Sequence, residues 1–373
     1  MSERSARLLL SGYYGFGNFG DEAILDVFVA NWRRLRPADT ICVLSQSPEA
    51  TRKTYGVEAV ERMSWRVVSE AVRSADVVVS GGGGLLQSAT SLRSLLYYTS
   101  IIREAKRAGR RAAIWAQGVG PLNYFGREVV KRACATVDLA CVRDETSQGT
   151  LQALLPAVEV RLTADPVFLA DPNPPDVRRL DDFFVREGVR DDVRDLVAVV
   201  VRRGAALDQI SDRLASLVDR LSTKYGAHVI FVPLQPPHDA EAAASVIRRC
   251  KSAPVLLGGG YDLPMMTALV SRCSAVIGMR LHALILAARL GVPFLAVPYD
   301  PKIGALTSSL SYPLPPLARD SLTDDMAEML WSQRAMLRDH LRARVPALQA
   351  RATAAFDWLV ELVAREGAPP LKR

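Results

Sequence analysis

The residues able to move protons lie in two short segments. Asp21 and Glu22 close the run Gly-Tyr-Tyr-Gly-Phe-Gly-Asn-Phe-Gly-Asp-Glu at residues 12–22, and His282 follows Arg280 by two places in Val-Ile-Gly-Met-Arg-Leu-His. A carboxylate and an imidazole can act as general base and acid, and an imidazole near its ordinary pKa can do either at neutral pH. Cations stand just after short apolar runs elsewhere: Arg143 after 139–142, Arg202 and Arg203 at the end of 196–201, and Lys302 beyond 294–297. Arginine offers a planar fork to carboxylate or phosphate, and lysine a point charge. Together they suit a small, multiply anionic substrate. Simpler readings exist for each side chain: Asp21 and Glu22 can satisfy a helix dipole, His282 can be a structural histidine bonded to a carbonyl, and arginine pairs are often solvated element ends.

The glycines around these residues are a second signal. One loop contains Gly17 and Asn18, and another, Gly81 to Gly84, contains Gly82 and Gly83; each follows an apolar run and precedes a helical pattern. Strand, glycine turn and helix build a site at the carboxyl end of an open α/β sheet. Gly15, Gly17 and Gly20 also match G-x-G-x-x-G. A dinucleotide site, however, needs an acidic residue at the end of the next strand, where this chain has Ser45-Gln46. Asp21 and Glu22 would also repel a pyrophosphate at that helix start. Nicotinamide dinucleotide binding is therefore disfavoured.

Apolar β-branched runs alternate with helical patterns over most of the length, which predicts parallel sheets covered by helices. Strands are expected at 8–11, 41–44, 76–80, 112–116, 139–142 and 160–162, then at 196–201, 229–232, 255–257, 275–277 and 294–297. The expected organisation is an N-terminal domain over 1–170, a proline-rich linker at 171–176, a C-terminal domain over 177–325 and helices over 326–373. Those last helices should break at Pro346, with Phe356, Leu359, Val360 and Val363 forming a core-facing stripe.

With 373 residues, 49% hydrophobic and 23% charged, the chain is expected to be globular with two separate cores. Strand-like sequence directly follows Met-Ser-Glu-Arg-Ser-Ala-Arg, so no secretory signal is expected. Residues 281–299 are apolar but contain His282, Arg289, Gly291 and two prolines, a poor membrane span. Five scattered cysteines without C-x-x-C spacing fit a reduced, cytoplasmic protein. The formal charge of +7 favours anionic partners and permits peripheral contact with an inner membrane face. No nucleic-acid motif or interleaving of basic and aromatic residues supports RNA or DNA. No zinc motif, Walker loop or G-x-S-x-G elbow is present, so neither a metal nor a bound cofactor is expected.

Seven segments, in order, resemble the polysaccharide pyruvyl transferase family, specifically its CsaB-type enzymes. They are Gly-Tyr-Tyr-Gly-Phe-Gly-Asn-Phe-Gly-Asp-Glu-Ala, Ser-Gly-Gly-Gly-Gly-Leu-Leu-Gln, Ala-Gln-Gly-Val-Gly-Pro-Leu, Val-Arg-Asp, Ala-Asp-Pro-Val-Phe, Gly-Met-Arg-Leu-His-Ala and Pro-Tyr-Asp-Pro-Lys. The resemblance implies a GT-B-like fold: two Rossmann-like domains facing across a cleft, with C-terminal helices. It implies phosphoenolpyruvate as co-substrate and a glycan acceptor. For CsaB-type enzymes that acceptor is N-acetylmannosamine in a lipid-linked precursor of the secondary cell-wall polysaccharide that anchors surface-layer proteins, and the product is a 4,6-linked pyruvate ketal. It implies Asp21 as a catalytic carboxylate, with Arg143, Arg280, His282 and Lys302 around phosphoenolpyruvate; the imidazole of His282 is the expected second catalytic group, as proton donor. Gly17, Asn18, Glu22, Gly82, Gly83, Arg202 and Arg203 are further substrate-binding candidates. A GT-B-type glycosyltransferase using a nucleotide sugar and a non-catalytic binder of an anionic metabolite are the alternatives.

Overall fold

The computed structural model of the chain describes residues 5–89, 91–173, 177–189, 195–318 and 323–365. It divides into two compact units: the first runs to Leu169 and takes the chain back from Leu348, and the second is Ala170–Ala347. Of the expected linker, residues 174–176 lie outside the described residues. The expected helical tail from 326 onward is shared between the units.

The first unit alternates β1 (Arg7–Tyr14), α1 (Phe19–Leu35), β2 (Thr40–Ser45), α2 (Pro48–Tyr55), β3 (Glu58–Glu61), α3 (Trp65–Ser74), β4 (Val77–Gly81), α4 (Leu92–Arg107), β5 (Arg111–Gln117), α5 (Tyr124–Cys134), β6 (Leu139–Val142), α6 (Glu145–Leu154) and β7 (Val160–Leu162). All strands are parallel, in the order β3-β2-β1-β4-β5-β6-β7. A parallel sheet buried on both faces needs continuous apolar strands, and Leu8-Leu9-Leu10 and Val77-Val78-Val79 provide them. One face is filled by Val68 and Val72 of α3, Leu95 and Ile102 of α4, Val130 of α5 and Leu151 of α6. On the other, Trp115 meets Phe28 of α1 and Phe356 edge-on, with ring centroids 5.0 and 4.9 Å apart. The Trp115 indole donates to the Ala355 carbonyl at 2.9 Å.

Six strands were expected here and seven form among the described residues. The additional one, β3, is Glu-Ala-Val-Glu at the sheet edge. Four residues with two carboxylates carry no strand pattern of their own. Pairing of Cys42–Ser45 with Glu58–Glu61 makes the segment a strand.

The second unit contains α7 (Val177–Arg186), β8 (Leu196–Val200), α8 (Ala205–Tyr225), β9 (His228–Phe231), α9 (His238–Ile247), β10 (Val255–Leu256), α10 (Leu263–Ser271), β11 (Cys273–Gly278), α11 (Leu281–Arg289), β12 (Phe294–Ala296), α12 (Pro301–Ser309) and α13 (Thr323–Ser332). Its five parallel strands run β10-β9-β8-β11-β12, and each expected strand is present. Helix α14 (Arg334–Ala364) contains Pro346 without a break, against expectation. An interior proline costs about 3 kcal/mol through its missing N–H. Buried Leu337, Leu341 and Val345 before it, and Leu348, Ala352 and Phe356 after it, hold the turns on both sides.

Each sheet reverses its winding once, between β1 and β4 in the first unit and between β8 and β11 in the second. Open α/β sheets bind ligands outside the carboxyl ends of the strands at such a reversal.

Candidate active site

The two glycine loops are the connections that leave β1 and β4, so both open at the reversal of the first sheet. Asn18 caps α1: its side-chain oxygen accepts from the Gly20 N–H at 3.4 Å, and its amide donates to Asp21 Oδ2. The other Asp21 oxygen lies against Gly83, where a Cβ would come within 2.6 Å of Oδ1. Gly83 has φ +68° and Gly82 φ +59°, and a Cβ on Gly82 would strike Ile24 of α1. Asp21, Asn18 and Gly83 are therefore brought together, while Gly17 stands open with nothing near its Cβ position.

Glu22 points elsewhere. Its carboxylate accepts the Gly15 N–H at 2.8 Å and the Tyr55 hydroxyl at 3.0 Å. Burial pushes its pKa up, opposed by the Gly15 N–H and the Tyr55 hydroxyl. Glu22 thus braces the loop from inside, and the adjacent carboxylates divide into an anchor and Asp21. The Tyr14 hydroxyl links the two loops by donating to the Gly81 carbonyl at 3.1 Å.

Arg62, at the end of unforeseen β3, also holds this loop. It is 6% exposed and donates to the Gly12 carbonyl at 2.9 Å and the Tyr98 hydroxyl at 3.2 Å. Its guanidinium lies 4.9 Å from the Phe16 ring and 4.6 Å from that of Tyr97, within the range of cation–π attraction. Phe16 in turn stacks on Tyr13, centroids 4.0 Å apart. Burial and then the charge of Asp21 raise the Tyr13 pKa, and Arg62 opposes them.

Arg143 follows β6 in the same unit and is nearly buried. Nη1 donates to Asp165 at 2.8 Å, and Nη2 occupies the space left by the missing side chain of Gly118. Asp165 also accepts the Val167 N–H at 3.1 Å. It lies in the Ala-Asp-Pro-Val-Phe segment, for whose carboxylate the resemblance implies no role.

In the second unit, Arg280 is the extended residue before α11, and half-buried His282 lies in that helix's first turn. From the end of β11, Arg280 reaches past β8 to α9. There it forms a fork with Asp239, including Nε to Oδ2 at 3.0 Å, and donates to Gln235 Oε1 at 3.0 Å. Asp239 is 1% exposed. Lys302 begins α12, 5.2 Å from the Tyr299 ring, and Arg202 lies 4.4 Å from the same ring. Tyr299 therefore gathers two of the expected cations. Arg203 is not gathered with them: it is exposed, with Glu241 3.4 Å away. Helices α8 and α11 both begin at the reversal without a side-chain cap; α8 carries Asp208 in its first turn, and α11 carries no acidic residue there. The N–H groups and dipole of α11 give that edge the character of an anion site.

Sequence reasoning found the cations and missed their partners Asp165, Asp239 and Gln235, together with Arg62. Pairing over 22 to 45 residues leaves no periodic signal. Among the described residues no group of three or more His, Cys, Asp or Glu is placed to hold a metal ion.

A family model described as polysaccharide pyruvyl transferase matches residues 18–301. No curated protein matches the chain significantly. Solved structures resemble it at low identity. HepE from Anabaena, in complex with UDP and glucose, aligns with TM-score 0.63 at 12% identity, over 97% of this chain and 100% of that one. The UDP-GlcNAc 2-epimerase of Neisseria meningitidis, bound to UDP-GlcNAc, gives 0.61 at 13% identity, over 95% and 100%. MnaA of S. aureus with UDP gives 0.63 at 11%, over 99% and 100%. At such identities the likeness concerns the fold, which is α/β with two Rossmann-like sheets, GT-B-like.

Proposed function

The chain belongs to the polysaccharide pyruvyl transferase family, and from that premise we propose that it is a CsaB-type enzyme forming a pyruvate ketal from phosphoenolpyruvate. The proposed acceptor is N-acetylmannosamine in a lipid-linked cell-wall precursor, ketalised at its 4- and 6-hydroxyls with release of phosphate. The observation that carries this reading is the placing of a carboxylate and of cations at sheet reversals. Asp21 is oriented by Asn18 and Gly83 at one, and Arg280 and Arg202 follow the strands that flank the other.

Arg280 and Lys302, with Arg143 and the uncapped start of α11, supply the charge to hold a carboxylate and a phosphate. Arg202 adds to it. Asp239 and Asp165 fix the forks of Arg280 and Arg143, so little freedom is lost on binding. Proton transfer to the methylene carbon, assigned to His282, makes the adjacent carbon electrophilic. One sugar hydroxyl adds there as Asp21 takes its proton. The second hydroxyl then displaces phosphate and closes the ring, its proton leaving with the departing phosphate. Phosphoenolpyruvate is a cytoplasmic metabolite, which assigns the reaction to that compartment or its membrane face.

Phosphate release from phosphoenolpyruvate across a panel of N-acetylhexosamine acceptors tests this directly. Release that depends on N-acetylmannosamine or its lipid-linked form is expected, and no acceptor-dependent release from any member would refute it. The second reading, transfer from a nucleotide sugar, draws on the relatives bound to UDP. Thermal stabilisation by UDP-sugars and none by phosphoenolpyruvate would favour it.

A further inference from the structure

Three neighbouring helices of the first unit begin in an unusual way. Helices α3, α4 and α5 follow β3, β4 and β5, and α4 packs against α3 and against α5, so their N-termini share one end of the sheet. None has an acidic residue in its first turn, whereas α1, α2 and α6 of the same unit do. The usual pairing of carboxylate with a positive helix end is absent at these three positions. Arg66, Arg93 and Arg127 stand near those ends instead, all exposed and in no ion pair among the described residues. The stretches 62–66, 82–93 and 118–127 contain no aspartate or glutamate.

The same helix starts carry large apolar side chains in water. Trp65 is 46% exposed, Tyr124 83% and Phe125 54%, and Met63 and Leu96 are exposed as well. An arginine stands close in sequence to the exposed apolar side chains of each helix start: Arg66 next to Trp65, Arg93 three residues before Leu96, and Arg127 two residues after Phe125.

We propose that this end of the first unit docks on the surface of an anionic lipid bilayer. Tryptophan and tyrosine favour the headgroup layer, where an apolar ring and a polar edge are both satisfied. Arginine and helix N-termini are drawn to the negative surface. A bilayer accepts separate tips set on three helices without requiring the continuous flat patch that a protein partner needs. The contact is peripheral, since no described helix is long and apolar enough to cross a membrane. The proposal stands apart from the assigned reaction because none of these side chains is placed in its machinery.

The test is sedimentation of the full chain with vesicles of phosphatidylcholine plus phosphatidylglycerol, against vesicles of phosphatidylcholine alone. Binding to the anionic vesicles only, weakened by salt, with a blue shift of tryptophan fluorescence is expected. The triple variant Arg66→Gln, Arg93→Gln, Arg127→Gln should partition about a hundredfold more weakly, a factor of about five per charge. The double variant Tyr124→Ser, Phe125→Ser should also bind more weakly, with an unchanged thermal midpoint showing that it folds. Phosphate release with a soluble acceptor should stay at the wild-type level in the triple variant, which separates this proposal from the catalytic one. Failure of the wild type to bind, equal binding to both vesicles, or wild-type binding by the folded triple variant would overturn it. Capture by polyglutamate without vesicle binding would also overturn it, in favour of an acidic protein surface.

Discussion

The Asp21 carboxylate rests against Gly83, close enough that a methyl group at position 83 would stand 2.6 Å from Oδ1. A glycine from the β4 loop thus makes room for a carboxylate from the β1 loop. The contact crosses the sheet reversal and depends on two connections far apart in sequence.

Gly83→Ala should therefore displace Asp21 as well as strain a backbone held at φ +68°. The strain costs about 1–2 kcal/mol, and a displacement near 1 Å can lower turnover about 10²-fold. Phosphate release and a denaturation curve measure the two effects separately. Full turnover in a folded Gly83→Ala protein would detach this contact from catalysis.

Asp21→Asn and His282→Gln should each lower kcat by about 10²–10⁴, the usual loss for a proton-transfer group, while the thermal midpoint stays near wild type. In heavy water the ketal methyl group should gain one deuterium. A methyl group free of deuterium would eliminate protonation at the methylene carbon.

Asp239 tests the positioning of Arg280. Its side chain is buried and forms a fork with the guanidinium. Removing one partner of a buried pair costs about 3–5 kcal/mol, so Asp239→Ala should unfold at a clearly lower denaturant midpoint. Asp239→Asn keeps the shape and loses the charge. It should raise KM for phosphoenolpyruvate more than it lowers kcat, and equal effects on both would point to a catalytic contribution.

Glu22 gives a pH signature. Its folded pKa lies above the ordinary value of 4.5, mainly through burial, so the folded state binds this proton more tightly than the unfolded chain does. The associated stability is present below the ordinary pKa and is lost as pH rises through the folded value. Glu22→Gln removes the titration. The unfolding midpoint of wild type relative to Glu22→Gln should fall as pH rises through that window, and a constant difference would contradict the burial of this carboxylate.

Much of the sheet framework was legible because buried parallel strands must be apolar along their whole length. Leu8-Leu9-Leu10 and Val77-Val78-Val79 show this, as do Leu196–Val200 and Phe294–Ala296 of the second unit. Edge strand β3 was hidden because its partner confers its conformation. Pro346 misled because local propensity signals a break, while buried neighbours on both sides keep α14 whole.

The sequence by itself determined the types of chemistry present: a carboxylate at a glycine loop, an imidazole at a strand-to-helix junction, and arginines and a lysine after strand ends. Those features are local, set by residue type and short spacing. Tertiary structure decided how the charges are used. It turned Glu22 inward to Gly15 and Tyr55, gave Asp165 to Arg143 and Asp239 to Arg280, and set Arg62 under the glycine loop. Hydrogen bonds between distant segments follow the order in which strands lie in a sheet, and that order is a property of the folded chain.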